Sequence, residues 1–261
     1  MTTEKSTGPM RVTFLGTGTS TGVPVIGCDC DICKSDDPKN RRSRVSAMLT
    51  WDDNNVVIDT GPDFREQMLR HDVKHVEAVL YTHSHADHLH GLDDLRMFCF
   101  RRGGPIPAYA DPATYERIRR VFDYTFQTKT EGGGTAKLEL EQMNGSFELL
   151  GRTIVPMIVM HGSLPVTAFR IGDFAYCTDC NSVPDETMEA LAGVEVLVLD
   201  ALRERPHSTH FSIDEAVAVA QEIGARQTYF VHMTHDVDHA TVNDALPDGI
   251  ELAYDGLQID V

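Results

Sequence analysis

The chain has 261 residues, 41% of them hydrophobic, and its 40 acidic residues outnumber its 23 basic ones to give a formal net charge of −17 at pH 7. This apolar content can bury a substantial core, which argues against a wholly disordered chain. The charge repels polyanions and so argues against a nucleic-acid polymer as partner, whereas a metal centre could still supply local positive charge for a small phosphorylated substrate.

The absence of an internal repeat or an interdomain linker predicts one domain over residues 10–261. Residues 1–9 are short and polar, so we predict a disordered tail there. This segment lacks the apolar core of a secretory signal, which predicts a cytoplasmic protein. No stretch approaches the roughly 18 uninterrupted apolar residues of a membrane span, so no membrane association is expected.

In chain order, the first half alternates short β-rich runs with helical patterns. Strands are predicted at residues 11–15, 47–51, 56–59 and 78–82. Helices are predicted at residues 64–71, near 89–98 and at 112–124. The last of these is opened by Asp111 as its cap and by a proline in its first position.

The second half follows a Gly-rich connection at residues 128–136, which we expect to be mobile. Consecutive antiparallel strands are predicted at residues 147–159 (interrupted at Gly151), 168–171 and 174–177. Later elements are a helix at 184–191, a strand at 194–200, a helix at 212–223 with a Ser212–Glu215 capping box, a strand at 228–231, a helix at 240–246 and two terminal strands. Strands followed by helices in both halves predict a layered α/β protein.

A cluster of potential metal ligands directly follows the predicted strand at residues 78–82. It comprises His83, His85, Asp87 and His88. Imidazole and carboxylate ligands suit zinc, iron or manganese. In a strand-to-helix turn, the first two histidines can point the same way while the last two side chains come round as the helix begins. A polar loop could hold such residues by chance, but four of them at one strand end favour a metal site.

The pattern His83-x-His85-x-Asp87-His88 resembles the signature of the metallo-β-lactamase superfamily. This resemblance implies a four-layer αββα sandwich with a metal site at one rim. The segment Asp59-Thr60-Gly61 resembles a motif that precedes the histidine cluster in that family. In that motif the aspartate supports the metal site without binding the metal itself. Each further ligand that the resemblance implies lies just past a predicted strand: His161, Asp179 and His232.

The resemblance also implies how these ligands are shared between two catalytic divalent metals. His83, His85 and His161 would hold one metal, Asp87, His88 and His232 would hold the other, and Asp179 and a hydroxide would lie between them. Zinc or manganese is expected, with iron also possible. Two metals about 3.5–4 Å apart lower the pKa of a shared water and stabilise charge on the substrate. Asp87 is therefore counted among the catalytic residues as well as the ligands.

Three of the six cysteines, Cys28, Cys30 and Cys33, lie within six residues. In a chain without an export signal, such clustering favours a metal over disulfides, and a structural zinc normally has four Cys or His ligands. Together with the preceding Gly- and Thr-rich segment 16–24, the cluster resembles the phosphoribosyl cyclic phosphodiesterases (the PhnP family) within the superfamily. In that group a histidine just beyond the last catalytic ligand completes the zinc site, and His235 occupies that place here. The PqqB-like proteins of quinone-cofactor synthesis share this cluster.

Two further residues are candidates for contact with the substrate. The resemblance implies that His210 faces the substrate phosphate, where it would bind the phosphate and protonate the leaving group, a role that suits a side chain titrating near pH 7. Ser163, two residues after His161, is either a substrate contact or an ordinary loop serine. His207 is either a supporting partner or an ordinary loop residue. Cys177 and Cys180 flank Asp179 without any required role in the family: Cys177 should be buried in a strand, and the role of Cys180 stays open.

The resemblance implies a dinuclear metal-dependent phosphodiesterase that hydrolyses small cyclic phosphodiesters, of the phosphoribosyl cyclic phosphate or 2′,3′-cyclic nucleotide type. One alternative is a thioester or lactone hydrolase of the same fold, and another is a non-hydrolytic cofactor-synthesis protein of the PqqB type. The net charge opposes a tRNA-processing nuclease. The similar phosphodiesterases also suggest a homodimer.

Overall fold

The computed structural model describes residues 8–127 and 134–261, so most of the predicted N-terminal tail and of the Gly-rich connection lies outside the described residues. Fourteen strands lie within those two ranges. They are β1 (Arg11–Gly16), β2 (Ser46–Trp51), β3 (Asn54–Ile58), β4 (Ala78–Leu80), β5 (Ile106–Ala110), β6 (Leu138–Gln142), β7 (Phe147–Leu149), β8 (Arg152–His161), β9 (Leu164–Ile171), β10 (Phe174–Cys177), β11 (Val196–Asp200), β12 (Gln227–Val231), β13 (Ile250–Leu252) and β14 (Gln258–Asp260).

The strands form two seven-stranded mixed sheets. The first has the order β14-β1-β2-β3-β4-β5-β6 and the second the order β13-β12-β11-β10-β9-β8-β7. In each sheet one side is antiparallel and the other is parallel. The predicted run of antiparallel strands is confirmed, because β7, β8, β9 and β10 pair antiparallel in succession.

Helices cover the outer faces of both sheets. They are α1 (Phe64–Arg70), α2 (Ala86–Leu89), α3 (Arg96–Arg102), α4 (Pro112–Val121), α5 (Asp185–Leu191), α6 (Ile213–Ile223) and α7 (His239–Ala245), with short 3₁₀ turns at Pro38–Asn40, Leu92–Leu95 and Asp123–Phe126. Among the described residues, no helix combines the length and apolar character that a membrane crossing requires.

Three apolar layers hold these elements together. The central layer lies between the two sheets, where Phe14 and Trp51 of the first sheet join Phe169 and Tyr176 of the second in one buried cluster. A second cluster lies under α1, α3 and α4, and a third under α5, α6 and α7. Burial of apolar faces on both sides of each sheet is what a layered α/β protein requires. The predicted αββα sandwich is therefore confirmed.

Several predicted elements differ from those observed. Strands β5 and β6 were not expected, because Pro107 in β5 lacks an N–H donor and β6 is a charged edge strand. The single helix expected near residues 89–98 is wrong: α2 ends at Leu89, and a 3₁₀ turn separates it from α3. The helix expected at residues 112–124 ends at Val121.

The parallel strands end at one rim of the sandwich. Asp59 follows β3 and His83 comes three residues after β4, both in the first sheet. Asp179 follows β10 and His232 follows β12 in the second sheet, with β11 ending on Asp200 between them. Parallel α/β sheets place functional side chains at the carboxyl ends of their strands. This rim is therefore where the site is built.

Candidate metal centre

Three polar residues at this rim have a left-handed backbone. Asp59 has φ 62°, Asp179 has φ 51° and His232 has φ 67°. This conformation is uncommon for residues other than glycine and costs of order 1–3 kcal/mol each. The surrounding fold therefore holds these side chains in place at an energetic cost.

One group of potential ligands combines two carboxylates with two histidines. His88 Nε2 lies 3.2 Å from Asp179 Oδ1 and 3.4 Å from Asp87 Oδ2. His232 Nε2 lies 3.3 Å from Asp179 Oδ2 and 3.7 Å from Asp87 Oδ2. All four side chains are buried, and each offers a ligand atom within 4.8 Å of the others.

A second group shares Asp179 with the first. His83 and His85 offer ligand atoms within 4.8 Å of each other and of that carboxylate. His161 completes this side, with its ring centroid 5.3 Å from that of His85. The structure thus brings all seven predicted catalytic-pair ligands to one rim, and Asp179 lies within ligand distance of each group. His161 shares its ligand group with Asp179 and His210, so the division of the ligands between two metals stays a prediction.

In three of the histidines, the ring nitrogen that faces away from the centre forms a hydrogen bond with a neighbouring residue. His88 Nδ1 lies 2.7 Å from Asp59 Oδ2. His83 Nδ1 lies 3.0 Å from the Thr82 hydroxyl, which itself donates to the same carboxylate at 2.7 Å. His161 Nδ1 donates to the Thr209 carbonyl at 2.8 Å. Such outer partners fix the tautomer and leave Nε2 free to bind a metal.

The residues at this centre fit divalent cations. The Nε2 atoms of His83, His88 and His232 are buried, and although a carboxylate oxygen lies 3.2–3.8 Å from each of them, none of the described residues is oriented to form a hydrogen bond with it. A buried polar atom without a partner costs roughly 1–3 kcal/mol, and two carboxylates buried side by side repel each other. A cation between them removes both costs, and the all-nitrogen-and-oxygen ligand set suits zinc, manganese or iron.

The titration behaviour of the histidines agrees with a site that favours positive charge. Burial opposes a charged ring at His88, yet Asp179 and Asp59 raise its pKa well above the usual value. The pKa of His232 is raised as well, because Asp179 and Asp87 outweigh its burial. Burial lowers the pKa of His83 well below its usual value and so keeps that ring neutral. The carboxylates therefore draw positive charge into the centre.

His210 and a residue that sequence reasoning missed complete the wall of the site. The His210 ring centroid lies 4.4 Å from that of His161 and 4.7 Å from that of His232. Its Nδ1 lies 3.2 Å from Oδ1 of Asp200, which is fully buried and also lies 3.5 Å from His232 Nδ1. The sequence feature that could have identified Asp200 is its position at the end of an apolar strand, which it shares with the other residues at this rim.

The other candidates lie further from the centre. Ser163 is exposed in the two-residue turn between β8 and β9, so its contact with substrate stays a prediction. The His207 ring lies 5.2 Å from that of His210. Cys177 is fully buried in β10 as predicted, and burial raises its pKa to about 12. Cys180 is fully buried as well.

The cysteine cluster forms a second, separate group of potential ligands. The Sγ atoms of Cys28, Cys30 and Cys33 lie 3.3, 3.5 and 3.4 Å from His235 Nδ1. In a tetrahedral zinc site the sulfur and nitrogen ligands lie about 3.6 Å apart, given the usual bond lengths. The Cys33 backbone N–H lowers the pKa of Cys30 to about 7, whereas burial raises the pKa of Cys33 to about 11. The four predicted residues therefore fit a structural zinc.

Comparison with known proteins places this fold in a family. A family model for a β-lactamase superfamily domain matches residues 54–233. A solved structure of a diphosphatase from the PhnP family is 44% identical with a TM-score of 0.92, covering 97% of this chain and 98% of that one. Zn²⁺-bound PqqB from Methylobacterium extorquens has a TM-score of 0.76 over 96% of this chain and all of that one, but at 22% identity it shares the fold alone.

A curated relative carries the name of a different activity. The octanoyltransferase of Porphyromonas gingivalis is 36% identical over 254 residues, which is 95% of this chain. The chain spans about half the length of that relative, since the match covers 51% of it. Coenzyme PQQ synthesis protein B of Methylobacterium nodulans is 26% identical over 73% of this chain and 72% of its own length. The family model and the near-complete match at 44% identity decide the assignment: this chain is a hydrolase-fold protein that belongs to the PhnP family of the metallo-β-lactamase superfamily.

Proposed function

We propose that this protein is a metal-dependent phosphodiesterase that hydrolyses small cyclic phosphodiesters, of the phosphoribosyl cyclic phosphate or 2′,3′-cyclic nucleotide type. One observation carries the proposal: Asp179 lies between two groups of histidines, and His210 faces the same space with its outer nitrogen against a buried carboxylate. A pair of cations beside a proton donor is the combination that phosphoryl hydrolysis uses.

In this proposal, one set of residues binds the metals and another residue donates a proton. His83, His85 and His161 would hold one divalent metal, Asp87, His88 and His232 the other, and Asp179 would contact both. When bound, two such cations activate water and neutralise the phosphoryl oxygens. The ligand set suits zinc, manganese or iron alike, so the cellular supply decides which ion is present.

His210 would supply the proton that the leaving oxygen needs. Because its Nδ1 faces the Asp200 carboxylate at 3.2 Å, Nδ1 carries a hydrogen and Nε2 is the nitrogen left for the substrate. A protonated ring can bind the phosphate and then donate to the departing oxygen. The buried Asp200 carboxylate fixes the orientation of the ring.

A second candidate function is the hydrolysis of a diphosphate bond. The observation that favours it is the name of the solved relative at 44% identity, a diphosphatase. Both reactions need cations against phosphoryl oxygens and a proton for the leaving group, so the same residues serve either. Comparing kcat/KM on a 2′,3′-cyclic nucleotide, a diphosphate ester and a thioester separates the two and also tests a thioester hydrolase.

The experiment that tests the proposal replaces the shared carboxylate. We expect protein loaded with manganese or zinc to cleave a 2′,3′-cyclic nucleotide, and Asp179→Ala to lose this activity together with metals from the histidine cluster. Asp173→Ala, which alters an exposed aspartate in the preceding turn, is the matched control and should keep both.

Metal content separates the hydrolase from a PqqB-type binding protein. Three metal ions per chain support the proposal, whereas a single zinc at the cysteine cluster favours the non-hydrolytic alternative. A fully loaded protein that cleaves no phosphodiester or diphosphate would overturn the proposed function.

A further inference from the structure

An asparagine that follows Asp179 by two residues connects two loops of the candidate metal centre. We propose that Asn181 is a positioning residue: it fixes the loop that carries His210 against the turn that follows His161, and so holds the proton donor in place beside the metals. This inference rests on the proposed function and deepens it, because it names the side chain on which the placement of the donor depends.

The Asn181 side chain forms one hydrogen bond to each of these segments. Its Oδ1 accepts from the Gly162 N–H at 2.8 Å, in the turn directly after His161. Its Nδ2 donates to the Ser208 carbonyl at 3.0 Å, in the loop that leads to His210. One partner is a donor and the other is an acceptor, so a carboxamide is the side chain that can satisfy both.

Backbone hydrogen bonds fix the base from which this side chain extends. The Asn181 N–H donates to the Met160 carbonyl at 2.8 Å, near the end of β8, and the Met160 N–H donates to the Ser182 carbonyl at 2.9 Å. The preceding residue is held as well, because the Cys180 carbonyl accepts from the Phe211 N–H at 2.8 Å. The amide therefore reaches the two loops from an anchored segment of the chain.

The carbonyls of Ser208 and Thr209 are two points at which the loop is held from outside. The first accepts from Asn181, and the second accepts from His161 Nδ1 at 2.8 Å. The Thr209 methyl group also packs against Gly162, where an added Cβ would lie 2.9 Å from it. His161 is a predicted metal ligand, whereas Asn181 can hold the loop without taking part in metal binding.

His210 directly follows these two carbonyls, so its position depends on how firmly they are held. Asp200 orients the ring through Nδ1 at 3.2 Å, while Asn181 fixes the backbone two residues before the ring. A displacement of about 1 Å in a reacting group can lower the rate by about 100-fold. A loosened loop should therefore weaken the donation of a proton more than the binding of metals.

Two substitutions separate the two hydrogen bonds. Asn181→Ala removes both, whereas Asn181→Asp keeps an acceptor for the Gly162 N–H and places a carboxylate against the Ser208 carbonyl. At full metal content, we expect each variant to lower kcat on a 2′,3′-cyclic nucleotide by about 10-fold, because one or two hydrogen bonds are lost. The loss on bis-p-nitrophenyl phosphate should stay below about twofold, since its leaving group departs with little protonation.

Asn243 provides a matched control. It is half-buried like Asn181, and its Oδ1 accepts from the Leu252 N–H at 2.8 Å, so Asn243→Ala removes a hydrogen bond of the same kind from the junction of α7 and β13. We expect this variant to keep wild-type kcat on both substrates even where its unfolding temperature falls. An unchanged kcat in Asn181→Ala, or equal losses on both substrates with all metals bound, would overturn the inference.

Hydrogen exchange tests the same contacts without any substrate. In Asn181→Ala the Gly162 N–H and the N–H groups of residues 208–211 should exchange about 5-fold faster, whereas those of β11 should keep the wild-type rate. In Asn181→Asp only residues 208–211 should change. Wild-type exchange in both segments of Asn181→Ala would refute the role of Asn181. A wild-type protein that cleaves neither phosphodiesters nor diphosphates would count against the proposed function alone.

Discussion

At the scale of single residues, Asp200 sets the hydrogen-bonding state of His210. Its Oδ1 lies 3.2 Å from His210 Nδ1, and its Oδ2 accepts from the Phe211 N–H at 3.2 Å, so the carboxylate is fixed on both sides. We expect Asp200→Asn to lower kcat by about 100-fold on a 2′,3′-cyclic nucleotide, because an amide, unlike a carboxylate, does not hold the ring in the tautomer with its hydrogen on Nδ1.

A substrate with a good leaving group distinguishes this role from a merely structural one. Bis-p-nitrophenyl phosphate needs little protonation of its leaving oxygen, so the same variant should lose much less activity on it. Because Asp200 also lies 3.5 Å from His232, metal content is measured in parallel. Equal losses on both substrates with a full metal complement would refute the positioning of a proton donor.

The residues of this site differ in how well the sequence alone predicts them. His83, His85, Asp87 and His88 fall within one short pattern, and side chains that near in the chain necessarily lie near in space. Asp200 has no such neighbours, and only the pairing of β11 with β10 and β12 brings it to the rim. The left-handed backbone at Asp179 cannot be predicted from the sequence either, because non-glycine residues adopt this conformation only when tertiary contacts impose it.

At the scale of elements, the start of α6 is closed by the predicted capping box. The Glu215 carboxylate accepts hydrogen bonds from the Ser212 N–H at 2.8 Å and from the Ser212 hydroxyl at 2.7 Å. These two hydrogen bonds lower the pKa of Glu215. A lowered pKa means that the unfolded chain binds the proton more readily than the folded one, so the stabilisation is complete above the ordinary value of 4.5 and is lost as the pH falls through the folded value.

Replacing this glutamate should therefore have a pH-dependent effect. We expect Glu215→Ala to reduce the free energy of unfolding by about 0.5–1 kcal/mol at pH 7, as measured for caps and first-turn acids in general. The difference from the wild type should shrink between pH 5 and pH 3 in urea titrations. Asp214→Ala, which removes an exposed first-turn acid outside the box, is the control: it loses only the interaction with the helix dipole and should cost less than Glu215→Ala. A gap that stays constant with pH would contradict the linkage.

Local signals predict elements well where they agree with the fold and poorly where long-range contacts decide. The capping box of α6 and the Asp111 cap of α4 were both visible in the sequence and are both present. The helix expected near residues 89–98 breaks because Gly91 packs against the backbone of Gly61: a Cβ at Gly91 would lie 2.1 Å from the Gly61 carbonyl oxygen. That contact joins segments thirty residues apart in the chain, so the local sequence around Gly91 does not predict it.

At the scale of the whole molecule, each half of the chain builds most of one sheet, and β14 returns to the first sheet to pair with β1. The candidate metal centre lies where the two sheets meet, and both sheets contribute potential ligands to it. Hydrophobic patterning predicted a layered protein, but the register of one sheet against the other depends on the packing of Phe14 and Trp51 against Phe169 and Tyr176. Such packing is specified by shape rather than by sequence pattern.

The cysteine cluster joins the N-terminal loop to the loop that carries His232. His235 follows that histidine by three residues, and two further contacts connect the same loops: Arg42 Nη1 donates to the Thr234 carbonyl and Asn40 Nδ2 donates to Asp238 Oδ2, each at 2.9 Å. A zinc bound by the cluster would therefore stabilise the whole chain by holding these loops together, and its removal should be felt beyond the cluster.

We expect His235→Ala to lose one zinc per chain and to lower the unfolding temperature by about 8–16 °C. A ligand present at a thousand times its Kd contributes about 4 kcal/mol, and in a chain of this size each kcal/mol corresponds to about 2–4 °C. Metal analysis and thermal unfolding in buffered zinc measure both effects. His75→Ala, which removes an exposed histidine that pairs with Glu77, is the control and should change neither quantity. A His235→Ala protein that keeps its full zinc content and unfolding temperature would show that the four side chains meet without holding a metal.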